Sequence, residues 1–510
     1  MAWSPWLARV IAPVLLALLA ASASAQVAWR EARTDHFRLL IEATAEDATR
    51  FADRLERFDA ALRRLYGIAD DPALHARPVS IYVLQQGDFQ AVCRCLYIIG
   101  YYDRPLAGPR IVSMQDARVD AKAKVGDLGS MAVLLHEYTH HFMLLNFPRA
   151  YPHWYREGFA EFNANVSFEP DGSIILGYPA NYRGAAIKQG DAPLRNLLAP
   201  DRFGFGENGD AVYGRAWLLT HYLTLTSRRP GQLKTYLAAV ARGTPSYDAA
   251  LSAFGDLDAL DAELVAYRKG KLGAPVRIPP MAKAPTVRTR KLGEGEAKIL
   301  LPHVGTPETV TKNYAGSFRR VAEQLAKRYP DDPIVLRKAA EMLVVSRRYQ
   351  DAANLADRAL ALSSNSAEAL LVRGRAADGL ATADREAPDG WAVGRQFYQQ
   401  ANRADPSSAE ALYRYYMSFT RARQTPTAGA VRGVKRAAVL APESAEIAAA
   451  LAGRLIVEGD AATARAVLAP VAFAPHSRTN RRRWAEVVTL LDAHKLQEAG
   501  NALTAILEDD

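Results

Sequence analysis

Apolar and polar positions follow two different periods along the chain, and the change of period divides it. Trp29-Arg30-Glu31-Ala32 and His36-Phe37-Arg38-Leu39-Leu40-Ile41 read as strands, as do Val79-Ser80-Ile81-Tyr82-Val83-Leu84 and Arg110-Ile111-Val112-Ser113-Met114. Between them Phe51, Leu55, Phe58, Leu62 and Leu65 share one face of a helix that Thr44 can cap, with Asp47 three residues on. From Ser130 the pattern turns helical and stays so to about Lys269. A small sheet followed by helices predicts an α+β domain over residues 26–270.

Residues 271–315 read as a connector. No acidic residue occurs between Glu263 and Glu294, while Arg277, Lys283, Arg288, Arg290 and Lys291 are basic, and Pro275, Pro279, Pro280 and Pro285 keep the backbone extended. A solvated linker is preferred here to a surface for anionic envelope components. Beyond about residue 315 the pattern is helical and repeats. Small residues recur at Ala352, Gly394, Ala430, Ala464 and Ala499, and Ala359, Ala401 and Ala437 follow the first three by seven residues. Three turns lead into the same tripeptide, Ser366-Ala367-Glu368, Ser408-Ala409-Glu410 and Ser444-Ala445-Glu446. A period near 34 residues is one helix–turn–helix unit, and residues 316–510 resemble the tetratricopeptide repeat family. The resemblance implies an all-α solenoid with a concave surface for a protein partner.

Composition removes some classes. The 510 residues are 49% hydrophobic and 23% charged, an ordinary globular balance that excludes a wholly disordered, collagen-like or disulfide-scaffold chain. A formal charge of +9 without any nucleic-acid motif describes a weakly basic surface, and no nucleic-acid partner is expected. Cys93 and Cys95 are the only cysteines. A bond between them would close a strained ring, so free thiols or a redox pair are expected. Residues 1–25 read as a signal peptide: Arg9, an apolar run from Val10 to Ala21, then Ala23-Ser24-Ala25 before Gln26. No later run is long enough to span a bilayer, so a periplasmic or secreted protein is expected.

The candidate chemistry lies in His136-Glu137-Tyr138-Thr139-His140. Residues four apart on a helix point the same way, so His136 and His140 can hold adjacent corners of a zinc tetrahedron, and Glu137 can take the proton of an attacking water. A catalytic zinc needs a third protein ligand. Beyond His140, Trp154-Tyr155-Arg156-Glu157-Gly158-Phe159-Ala160-Glu161, with Glu157 seventeen residues on, forms a second helical segment that a short loop can bring alongside. Glu157 can ligate, Glu161 can accept a hydrogen bond from a ligating imidazole, and Gly158 and Ala160 leave room for close packing.

These two segments resemble the gluzincin metallopeptidases of the peptidase MA-like group, over roughly residues 27–270, with the specific matches in 130–165. The resemblance implies Zn²⁺ held by His136, His140 and Glu157, Glu137 as general base, and Glu161 supporting a ligand. It also implies an oxyanion donor, for which Tyr213 is chosen and His221 is the alternative. The strand Arg110–Met114 is either the edge strand that pairs with an extended peptide or an ordinary core strand. His141 points away from His140, and His153 reads as a surface-loop residue. The aminopeptidase element Gly-x-Met-Glu-Asn is missing and little chain is left for a propeptide, so endopeptidase action on a peptide or protein is expected. The competing expectation is a weakly active or inactive scaffold that binds partners through its repeats.

Overall fold

The computed structural model describes residues 26–95, 98–115, 124, 129–147, 149–184, 193–203, 209–306, 312–383, 390–472 and 481–509. The expected signal peptide, residues 1–25, lies outside them. Among the described residues no helix is long and apolar enough to cross a membrane.

The first strands are β1 (Ala28–Arg33), β2 (Phe37–Ala43), β3 (Val79–Gln85), β4 (Gly100–Asp103) and β5 (Arg110–Gln115). With β9 (Arg288–Lys291) they form one mixed sheet in the order β4-β5-β3-β2-β1-β9. β2, β3 and β5 run parallel, and β4 and β1 are antiparallel to their neighbours. The unbroken apolar run of β2 follows from cover on both faces. Phe37, Leu39 and Ile41 pack under α1 (Ala45–Tyr66) and α3 (Ser130–Asn146), whereas Leu40 meets Tyr82, Leu84 and Val112 under α2 (Gln86–Cys93). Thr44 caps α1 by accepting from the Asp47 amide at 3.1 Å, and Gly67 ends it at φ 67°.

α1 also carries a pH-sensitive tie. The Nδ1 of His36 lies 2.8 Å from Glu56 Oε2 and its Nε2 3.0 Å from Asp70 Oδ1. Burial opposes charge on this ring, yet Glu56, Asp59 and Asp70 raise its pKa to about 9. A pKa above the unfolded value near 6.5 contributes stability that is complete below about pH 6.5 and is lost as pH rises through 9. His36→Gln is expected to cost about 2–3 kcal/mol in urea melts near pH 6 and much less near pH 10. An equal loss at both would show that the imidazolium contributes nothing.

Four expectations change. The helical stretch from Ser130 to Lys269 is interrupted by a hairpin, β6 (Val166–Phe168) and β7 (Ile174–Leu176), which turns at Gly172 with φ 83°. Residues 271–315 are not a solvated connector. β8 (Val276–Ile278) adds to that hairpin, β9 pairs with β1, and α9 (Glu294–Val304) lays Leu300 and Val304 on the sheet. Charge is the physical reason: Arg290 Nε reaches Glu31 of β1 at 2.5 Å and Arg277 Nη2 reaches Asp171 at 2.7 Å, so acids outside this basic stretch pair with it. Arg110–Met114 is an interior strand between β3 and β4, and β4 is the edge strand among the described residues. Cys93 and Cys95 are joined, with Cα atoms 5.2 Å apart; Arg94 between them adopts φ 53°, which closes the short ring.

α4 (His153–Ala164) packs on α5 (Gly209–Leu225), and Trp154 and Phe162 share a core with α6 (Gln232–Ala241), α7 (Ser246–Phe254) and α8 (Leu257–Lys269). Beyond α9 come eleven helices among the described residues: α10 (Lys312–Arg328), α11 (Pro333–Val345), α12 (Tyr349–Leu362), α13 (Ala367–Ala383), α14 (Gly390–Ala404), α15 (Ala409–Arg421), α16 (Ala428–Leu440), α17 (Ala445–Val457), α18 (Ala461–Ala472), α19 (Arg481–Asp492) and α20 (Leu496–Asp509). They stack as successive hairpins. The recurring small residues mark the crossings: Ala352, Ala430, Ala464 and Ala499 are wholly buried. The repeated Ser-Ala-Glu is a helix start, because Ser366, Ser408 and Ser444 each accept from the amide three residues on, at 3.2, 3.3 and 3.4 Å. The turn before α17 docks on the first domain, where Glu443 takes Arg77 at 2.7 Å and its carbonyl takes Arg104 at 3.1 Å.

Candidate metal centre

α3 and α4 meet where the sequence places its motif. His136 and His140, one turn apart on α3, bring their Nε2 atoms to 3.1 Å. Glu157 on α4 is wholly buried, and its Oε2 lies 3.5 Å from His136 Nε2 and 3.4 Å from His140 Nε2. Its two oxygens face the imidazoles of His136, His140 and His153 at 3.4–3.5 Å. A wholly buried carboxylate stays ionised only beside positive charge, which these imidazoles or a bound cation can supply. In a zinc tetrahedron with bonds of about 2.0–2.1 Å, donor atoms lie about 3.3–3.4 Å apart. The three separations match that edge, and two imidazoles with one carboxylate suit zinc. The residues present therefore fit the ion.

Packing sets this geometry. A Cβ on Gly158 would come within 2.5 Å of the Ala216 carbonyl oxygen on α5, so only glycine lets the two helices close to this distance. Trp154 Nε1 donates to Tyr236 at 2.8 Å and ties the start of α4 into the helical core. Glu137 is buried beside the ligands, and its stem faces β4, where a Cβ on Gly100 would lie 3.6 Å from Glu137 Cγ. This strand, the sheet edge among the described residues, thus runs past the candidate base.

Electrostatics follow from the three acids. Burial opposes charge on His136, but Glu157, Glu161 and Glu137 raise its pKa to about 9. His140, equally buried and next to His136 and Arg156, is lowered. Burial pushes Glu157 up, and the surrounding imidazoles more than reverse this, holding it well below the carboxylate range. Two histidines among three acids form a pocket that favours a divalent cation.

The other expected residues fall differently. Glu161 reaches only to 3.7 Å from His136 Nδ1, beyond a hydrogen bond, because its oxygens are taken by the Tyr182 hydroxyl and by Arg183 Nη2 at 2.9 Å. Tyr213 stands at the site, its ring 6.4 Å from that of His136 and under the Arg183 guanidinium at 4.7 Å. Burial and the nearby Glu157 raise its pKa, so the phenol stays protonated as a donor. His221 is occupied elsewhere, 2.7 Å from the Tyr267 hydroxyl and 3.2 Å from the Gly177 carbonyl. His141 turns away to Tyr102 at 3.0 Å. His153 does reach the site: its Nδ1 lies 3.4 Å from Glu157 Oε1, since residues four apart on α4 share a face.

No family model and no curated protein matches the chain. Among solved structures it is similar to TTC0263, a thermophilic TPR protein of Thermus thermophilus, at 19% identity over 35% of this chain and 92% of that one, with a TM-score of 0.31. It is similar to MamA at 13% identity over 41% and 99% of the two chains, TM-score 0.26, and to yeast Tom70 at 11% over 73% and 72%, TM-score 0.26. At such scores these likenesses carry no weight of their own, and the helical-repeat description stands on the stacked hairpins and their serine caps.

Sequence reasoning missed Tyr182, Arg183 and Gly100. The first two sit in the short turn Asn181–Arg183, where no periodicity announces them. Gly100 begins a strand of only four residues, below the length at which alternation is readable. His153 had one usable signal, its place four residues before Glu157.

Proposed function

We propose that the chain is a zinc-dependent metallopeptidase of the gluzincin kind, an endopeptidase acting on peptides or proteins, exported to the periplasm or secreted. The observation that carries the reading is the meeting of His136, His140 and Glu157, with donor atoms 3.1, 3.4 and 3.5 Å apart, around a wholly buried carboxylate. When bound, the zinc ion acts as a Lewis acid on the peptide carbonyl and on the attacking water. Glu137 takes the proton of that water on its carboxylate and returns it to the leaving amine. Tyr213 donates its hydroxyl to the oxygen that becomes negative, and Arg183 holds the Tyr213 ring in place. Gly100–Asp103 is the sheet edge among the described residues, on which an extended peptide can lie past Glu137.

One bound zinc per chain is expected in the purified protein, with cleavage of a peptide library that a chelator abolishes and added zinc restores. Zinc-loaded protein that cleaves nothing would refute the peptidase reading. A second reading, a scaffold that binds protein partners, is favoured by the eleven-helix array, whose extent far exceeds what the metal centre needs. The two readings are compatible in one chain.

A further inference from the structure

A second group of metal-ligating side chains meets where the turn between β1 and β2 touches the segment after α1. His36 Nε2 lies 3.0 Å from Asp70 Oδ1. His75, on the short turn Pro72–Ala76, brings its Nε2 to 3.1 Å from both oxygens of the same carboxylate. One donor atom from each of the three residues falls within 4.8 Å of the other two. None of them serves the centre at His136.

The far side of the His36 ring is fixed. Glu56, buried on α1, holds the Nδ1 of His36 at 2.8 Å with one oxygen and accepts from its backbone amide at 2.8 Å with the other. A carboxylate so placed commits Nδ1 to donating and turns Nε2 towards Asp70 and His75, as carboxylates behind metal-binding histidines do. Charge points the same way. Asp59, the third acid near the ring, is taken by Arg63 at 2.6 Å and by the Tyr138 hydroxyl at 2.5 Å. Arg63 Nη1 donates to the Ala69 carbonyl at 3.3 Å and stays 3.9 Å from Asp70. Glu56 and Asp70 are left facing two imidazoles, which are neutral when they ligate, and one divalent cation balances two carboxylates.

We propose that His36, Asp70 and His75 form a second zinc site, with solvent completing the coordination. Two imidazoles and one carboxylate suit zinc better than magnesium. In the metal-free chain a proton on His36 joins the same acids, and zinc displaces it into solvent. The side chains of Asp70 and His75 are 47% and 25% exposed, so this ion exchanges readily: the purified chain keeps only the buried centre loaded, and the second site fills when zinc is supplied. An ion here fastens the turn leading to Arg77, which holds Glu443 of the docked array at 2.7 Å. The inference does not depend on the peptidase reading.

The test titrates zinc sulfate into the metal-stripped full chain against a chromophoric chelator. His75→Gln and Asp70→Asn are each expected to take one ion fewer than the parent chain, and zinc-loaded His75→Gln is expected to cleave peptides as the parent does. Zinc is expected to raise the melting temperature of the His136→Ala chain, and to leave that of the His136→Ala, His75→Gln chain unchanged. Without metal, His75→Gln is expected to melt with the parent, which keeps a lost ion distinct from a lost fold. An equal ion count in His75→Gln and the parent would overturn the site, and magnesium sulfate filling it as well as zinc would overturn the choice of ion. If His136→Ala takes as many ions as the parent, it is the first centre that fails, so the two assignments are judged separately.

Discussion

Replacing Glu137 by glutamine is expected to lower peptide hydrolysis about a hundred- to ten-thousandfold while the zinc content stays at one per chain. Glutamine keeps the length and shape of the side chain, so its stem still packs beside Gly100 of β4. What it loses is the ability to accept and return a proton. The three donors that fit the metal are His136, His140 and Glu157, and Glu137 is not among them. Metal retention and activity should therefore separate in this variant, whereas His136→Ala should lose both. Turnover that persists in zinc-loaded Glu137→Gln would remove the assignment of Glu137 as base. Loss of zinc from that variant would show instead that its carboxylate contributes to holding the ion. Elemental analysis and single-turnover cleavage of the same preparation read both quantities.

The separation follows from how the site is written in the chain. Two donors share one helix, and there sequence alone is sufficient: a four-residue spacing on α3 commits His136 and His140 to one face. The third donor was legible because a second helical segment follows closely and carries small residues where contact is needed. Periodicity could reveal no more than this. The second environment of Glu161 depends on where the turn Asn181–Arg183 returns to α4, and that path is set by tertiary packing. The same limit explains the basic segment. All four residues of β9 are exposed and polar, and they pair with β1 through backbone hydrogen bonds and through acids far away in sequence, which composition cannot register. The repeats were more legible than the sheet, since every unit reuses the same small crossing residues and the same serine cap.

Gly158→Ala is expected to cost about 2–3 kcal/mol in stability and, at the same time, to weaken zinc binding. The added methyl carbon would collide with Thr220 Oγ1 and sit 2.5 Å from the Ala216 carbonyl oxygen and 2.9 Å from its carbon. A side chain can rotate away, but the α5 backbone cannot, so α4 must withdraw. Glu157 is the residue next to the added methyl, and it supplies the third donor at 3.4 and 3.5 Å from the two imidazoles. A retreat of about an ångström would open that edge well beyond the spacing a zinc ion bridges. Thr220→Ala removes one obstacle and leaves the carbonyl, so it should restore little when combined with Gly158→Ala. Calorimetric melts with and without chelator separate the two effects: the packing loss persists in the metal-free protein, and the metal-dependent gain in melting temperature shrinks in the variant. A Gly158→Ala protein that melts as the parent does and binds zinc as tightly would mean that the contact between α4 and α5 does not position the metal centre.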